Sequence, residues 1–310
     1  MSKFIVIKKK DLYIILLIVI LVLAILYSSI SYMFKSYTTL TKSTSTSSSN
    51  INKYDLDGDG ISDDIEFSSN NKSYAINIKT ANGKFLLETS DFGTSFIDIS
   101  DSFNIKVQFY DLSRDGIPEI VFSGIKDDSV HNYIFYWTGT NFIELFSCDS
   151  NIFGLLNSKN SRCPNLLYSN SAKGDSSTSS LYYTNNSIKD TSFANNKIPS
   201  LDIIQNFIDT IELPYELDIA PDIFSSSISS EELAILWNLD KEQNNYSFQS
   251  GYFTDINWDS NGEVTDIFWT LSFRKYDSSK STNNCYSELL LHLNITLTNE
   301  NTYKIESIQK

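Results

Sequence analysis

Histidine is nearly missing from this chain: only His131 and His292 occur in 310 residues. His131 stands in a polar stretch, and His292 in the apolar run LLLHLNI, the setting of a satisfied core or interface histidine. A nucleophile–base triad needs the base within reach, and two scattered histidines argue against one. No G-x-S-x-G, H-E-x-x-H, glycine-rich phosphate loop or Cys–His motif occurs. A glycosidase built on two carboxylates is untouched by these absences, because its acids need no proximity in sequence.

Cysteine is scarce as well. Cys148, Cys163 and Cys285 match no zinc spacing; the first two can pair outside a cell, and three buried thiols fit equally well. Basic residues are in deficit, 24 against 38 acids, for a net charge of −14. Residues 1–50 hold six lysines and one aspartate, so everything after them carries −19. That field repels phosphates and excludes nucleic acid as a partner. It suits divalent cations or basic partners, and equally a solvated acidic surface.

The chain does contain one long apolar run, LYIILLIVILVLAILY (12–27), extended by SSISYMF to Phe34. At about 1.5 Å per helical residue it spans a ~30 Å hydrocarbon core. Lys3, Lys8, Lys9 and Lys10 precede it, so the positive-inside bias places the N-terminus in the cytoplasm and the rest outside. A cleaved signal peptide is the rival reading; the run is long for one, and no A-x-A site or lipidation cysteine follows. The expected order is a cytoplasmic tail (1–10), a transmembrane helix (11–34) and a Ser/Thr-rich stalk (35–53). A β-repeat module (54–196) and an α+β module (197–310) complete it.

In the first module YAINIKTANGKFLLE (74–88) reads as a hairpin turning at Asn82-Gly83, and YIFYWTGTNFIELF (133–146) as another with Gly139 in the turn. DGISDDIEF (59–67) leads into the first and DGIPEIVF (115–122) into the second, an internal repeat offset by about 56 residues. A degenerate third copy, CPNLLYSN (163–170) with SLYYTNNSIKD (180–190), lacks the acidic loop. After Pro199 the period changes. Ser200 is placed to cap a helix with Leu201, Ile204, Phe207, Ile208 and Ile211 on one face. Ser229-x-x-Glu232 opens a second helix as a capping box, and an antiparallel meander follows.

The most specific chemistry lies in DLDGDGISDDIE (55–66), which fits the calcium-loop pattern D-x-[DN]-x-[DN]-G-x5-E at every fixed position. Calcium takes six to eight oxygens, which a curling loop supplies from alternate residues. Asp55, Asp57 and Asp59 stand at positions one, three and five, the Ile61 carbonyl at seven, Asp63 at nine and Glu66 at twelve. No helices are expected to flank it, so it is EF-like in ligands only. The second copy, DLSRDGIPE (111–119), keeps Asp111, Asp115 and Glu119, with Ser113 at position three and the Ile117 carbonyl at seven. With fewer charges it is expected to bind Ca2+ more weakly. The third acidic turn, DINWDSNGE (255–263), reads better as a Ser-Asn-Gly hairpin turn.

An acidic D-x-D-G-D-G-x-x-D loop, a strand and an aromatic hairpin, repeated near sixty residues, resembles the FG-GAP/VCBS repeats of integrin-type β-propellers and bacterial surface proteins. The resemblance covers about residues 54–190. It implies calcium-stabilised, propeller-blade-like repeats, with Asp55, Asp57, Asp59 and Asp63 as ligands in one loop and Asp111, Asp115 and Glu119 in the other. Two or three repeats cannot close the usual ring of seven, so the module is expected to be incomplete. The expected function is a single-pass, membrane-anchored binding or scaffold protein at a bacterial cell surface, with a protein or glycan partner. The alternative is a cell-wall glycan hydrolase using an acidic pair. Trp137, Tyr136 and Phe142 are sugar-stacking candidates, although hairpin spacing makes them core candidates first.

Overall fold

The computed structural model describes residues 38–39, 54–70, 72–157, 163–171, 178–184, 187–191, 197–277 and 286–310. The chain divides into residues 1–39 and 40–310. Of the first unit only the two-residue strand β1 (Thr38–Thr39) is described. The membrane helix expected over 11–34 lies outside the described residues, and among these no helix is long and apolar enough to cross a membrane.

The second unit is mostly β. Its first sheet contains β2 (Asp64–Ser69), β3 (Ser73–Thr80), β4 (Gly83–Leu86), β5 (Ile97–Asp98), β6 (Lys106–Tyr110), β7 (Glu119–Lys126), β8 (Ser129–Trp137) and β9 (Phe142–Cys148). Strands β2–β4 and β7–β9 are successive antiparallel hairpins, each preceded by an acidic loop. The β3–β4 register pairs Thr80 with Gly83, so the turn is Ala81-Asn82 rather than Asn82-Gly83. Neither turn residue has a positive φ. With the turn one residue early, Ala81 enters it, where a Cβ disfavours positive φ, and the Asn82 amide donates to Asp57 and Asp59 of the first acidic loop. In the β8–β9 turn Gly139 takes φ 89°, as its place in the sequence required.

These hairpins are not separate blades, and the described residues form no closed propeller. Strand β5 joins them, pairing with β3 through Tyr74↔Ile97 and with β7 through Asp98↔Ile125. Gly124 makes this junction possible: a Cβ there would meet the Ile97 side chain at 2.6 Å. Phe96, Phe122, Tyr133 and Phe135 fill the core beneath with tilted and edge-to-face contacts.

The second sheet corrects the expected partition. It comprises β10 (Ile152–Leu156), β11 (Asn165–Ser169), β12 (Ser179–Thr184), β13 (Ser187–Asp190), β14 (Asn244–Trp258), β15 (Val264–Asp277), β16 (Tyr286–Leu297) and β17 (Tyr303–Gln309). Their order is β13-β12-β11-β10-β14-β15-β16-β17. The segment read as a degenerate third repeat therefore extends the C-terminal meander, through the parallel pair β10–β14. The α+β module is not separate from the strands before it, because a parallel partner arriving from distant sequence leaves no local signal. Gly154 lies at this seam, where a Cβ would stand 2.5 Å from both the ring and the carbonyl oxygen of Phe253. Gly154→Ala is expected to destabilise the fold by about 1–3 kcal/mol or more, read as a fall in the urea midpoint.

Two helices cover this sheet. In α1 (Leu201–Glu212) Ile204, Phe207, Ile208 and Ile211 are buried, the face that the 3.6 period marked out. Helix α2 (Ser230–Trp237) begins with the expected capping box: Ser229 Oγ accepts from Glu232 N, and the Glu232 carboxylate from Ser229 N. Ser200 behaves otherwise. It sits at φ 61° with no side-chain cap bond, and its hydroxyl accepts the indole N–H of buried Trp269 at 3.1 Å. A fully buried indole nitrogen needs an acceptor, and that demand prevails over capping.

Candidate metal centre

The first acidic loop is anchored at both ends. Leu56 is buried in the first core, and Asp63 N donates to Tyr54 O at 2.7 Å, drawing the loop closed. Gly58 and Gly60 supply φ values of 78° and 85° for the tight path between. Asp55 organises the interior: Oδ1 accepts Gly58 N (2.7 Å) and Asp59 N (3.1 Å), while Oδ2 accepts Gly60 N (2.8 Å). Asp59 Oδ1 accepts Ile61 N at 2.7 Å. The Ile61 side chain is exposed.

Carboxylate oxygens of Asp55, Asp57 and Asp63 lie within 4.8 Å of one another. Asp63 is decisive. It is only 5% exposed; Oδ2 accepts Leu56 N at 2.7 Å, and Oδ1 is buried with no hydrogen-bond partner. Burial, and then the charges of Asp57, Asp59 and Asp55, push its pKa up to about 6. A buried carboxylate oxygen without a donor, facing two further carboxylates, has the chemistry a divalent cation satisfies.

The remaining predicted ligands divide. Asp59 stays at the loop, where Asn82 Nδ2 donates to both Asp57 Oδ2 and Asp59 Oδ2 at 3.2 Å. Glu66 does not join the cluster: on β2 it binds Lys84 at 2.8 Å and lies 3.9 Å from Lys79. These lysines, led by the Lys84 hydrogen bond, hold its carboxyl below the usual value. Glu66→Gln is accordingly expected to change cation affinity by less than about threefold by calorimetry, in keeping with an exposed ion pair.

The second loop repeats the backbone pattern with different side chains. Asp111 accepts Asp115 N and Gly116 N, Asp115 accepts Ile117 N, and Glu119 accepts Leu112 N at 2.6 Å. Each bond has its counterpart 56 residues earlier, at Asp55, Asp59 and Asp63. Arg114 takes the positive φ of Gly58, at 61°, and Ser113 occupies the place of Asp57. Burial raises the pKa of Glu119, which is 3% exposed. The loops touch, since a Cβ on Gly58 would meet Ile117 Cδ1 at 2.6 Å.

Linear pattern could not reveal Asn82, which lies 25 residues from Asp57 and closes the loop only through the β3–β4 turn. The third acidic turn is a hairpin turn, with Asp259 Oδ1 accepting Asn261 N and Glu263 N. His131 packs against Phe92 and Tyr133; His292 bonds Thr270 Oγ1 at 3.0 Å and stacks on Phe268. Burial lowers the pKa of both rings. Phe142 is buried, and Trp137, half-buried, packs on Phe85 and Phe142. Cys148 and Cys163 are thiols, and burial pushes that of Cys148 up to about 11.

No family model, curated protein or solved structure matches this chain.

Proposed function

We propose that this protein is a binding or scaffold protein of the cell exterior, whose first acidic loop takes a structural Ca2+ ion. The buried, donorless Oδ1 of Asp63, beside Asp55 and Asp57, carries the proposal. Asp55, Asp57, Asp59 and Asp63, with the Ile61 carbonyl, supply the oxygens, and calcium tolerates such an irregular set better than Mg2+ does. The ion serves structure: it joins the segment before β2 to the β3–β4 turn through Asn82. Placement outside the cell rests on the lysine-flanked apolar run and on the acidic balance of the residues after it. A histidine general base is disfavoured, because both rings are committed to packing.

The second loop, with Asp111, Asp115 and Glu119, takes the same ion more weakly, because serine replaces one aspartate. Calorimetric titration of the metal-free chain is expected to show one stronger and one weaker Ca2+ site. At a hundredfold excess over Kd the stronger contributes about 2.7 kcal/mol, seen as a rise in Tm that chelator reverses. No heat and no shift in Tm would remove calcium from the reading.

A further inference from the structure

The first sheet has two unpaired strand edges that border one groove. Among the described residues β4 pairs only with β3, and β9 only with β8. Residues 84–86, 88–90 and 140–145 line an open groove of about 860 Å³ between them. Because Leu87 N donates to Ile76 O, alternation along the antiparallel ladder turns the backbone groups of Lys84 and Leu86 away from β3, towards the open side. Phe85 bridges to the β8–β9 hairpin in edge-to-face contact with Trp137 and Phe142, holding the two edges at a fixed separation. One end is shut where Ser90 N donates to Glu144 Oε2 at 2.8 Å.

Exposed strand edges are normally blunted or covered, and each of these two carries an exposed apolar side chain among polar and charged ones. Leu86 is 41% and Ile143 40% exposed, one from each side of the groove. The charged lining is acidic on balance, Glu88 and Glu144 against Lys84, which also pairs with Glu66 outside it. We propose that the groove binds an extended peptide by strand addition, with apolar residues at alternate positions against Leu86 and Ile143 and lysine or arginine at the intervening positions, attracted by the acidic rim of Glu88 and Glu144. Backbone pairing supplies affinity and the alternate side chains supply selectivity. This site is distinct from the calcium loop, because the groove lining contains none of its carboxylates.

The full chain is titrated by fluorescence anisotropy with a labelled (Val-Lys)4 octapeptide, with and without Ca2+. The same octapeptide N-methylated at alternate amides, (Val-Glu)4 and chitohexaose serve as comparisons. We expect saturable binding of (Val-Lys)4, at least tenfold weaker after N-methylation or with (Val-Glu)4. Ile143→Lys and Glu88→Lys, both exposed positions, are each expected to weaken it at least fivefold with Tm unchanged. The proposal falls if (Val-Lys)4 does not bind, or if N-methylation has no effect. It falls equally if chitohexaose alone binds and loses binding in Ile143→Lys, or if the groove is filled by a second copy, seen as a dimer that Ile143→Lys dissolves. Failure here with a normal calcium titration overturns the peptide site alone.

Discussion

Asp63→Asn is expected to abolish the calcium response and, at the same time, to stabilise the metal-free protein. Asparagine keeps an oxygen for the Leu56 N–H and places an amide donor where Asp63 Oδ1 now has no partner, beside Asp55 and Asp57. Loss of one buried charged ligand is expected to weaken Ca2+ binding by at least about a hundredfold, read by calorimetry. In chelator the variant should be more stable by about 1–2 kcal/mol, since it no longer holds a buried anion against like charges. The sign of the pH effect follows from a pKa raised from 3.8 to about 6. Below 3.8 the folded and unfolded carboxyls are both protonated and the two proteins should be alike. As pH rises through that window, the unfolded carboxyl ionises first and the wild-type fold loses stability relative to the variant. A metal-free Asp63→Asn chain less stable than wild type at neutral pH would show that Asp63 Oδ1 is satisfied without a cation.

The second large effect concerns the contact between the two sheets. Glu288, on β16, binds Lys106 Nζ of β6 at 2.7 Å, and both side chains are 6% exposed. It also accepts Asn104 N (3.0 Å), Asn104 Nδ2 (2.7 Å) and Ser272 Oγ (2.5 Å), so its oxygens are well supplied with donors. Glu288→Ala strands the Lys106 ammonium and those donors, and should cost about 3–5 kcal/mol in urea unfolding. Glu288→Gln, which keeps the shape and part of the bonding, is expected to cost less. Burial alone would raise the Glu288 pKa, but the charge and hydrogen bond of Lys106, with Ser272 and Asn104, bring it below 4.5. The stabilisation from this carboxylate is therefore complete above 4.5 and lost as pH falls through the depressed value. The gap between wild type and Glu288→Gln should narrow in acid. A gap independent of pH would mean that the ionised carboxylate does not hold the sheets together.

Local chemistry was enough for the features that depend on neighbours in the chain. The repeated acidic loops, the buried face of α1, the Ser229–Glu232 box and the β8–β9 turn were all legible, because each rests on residues within one or two turns of backbone. Where long-range partners compete, the linear pattern misled. Ser200 serves Trp269, 69 residues away, instead of its own helix, and Glu66, the twelfth position of a complete calcium pattern, is held by Lys84. Pairing between strands distant in the chain lay beyond reach. Nothing in a short strand such as Ile152–Leu156 states that it will run parallel to Asn244–Trp258, because a ladder is specified by both strands and the loop between them carries no register. The tertiary fold thus made one sheet of two apparent repeats and joined the third to the C-terminal strands. It also left Asp63 Oδ1 without a donor among the described residues. The sequence could place that aspartate in a loop, but whether its oxygen finds a donor depends on the packing of Leu56 and Tyr54 around it.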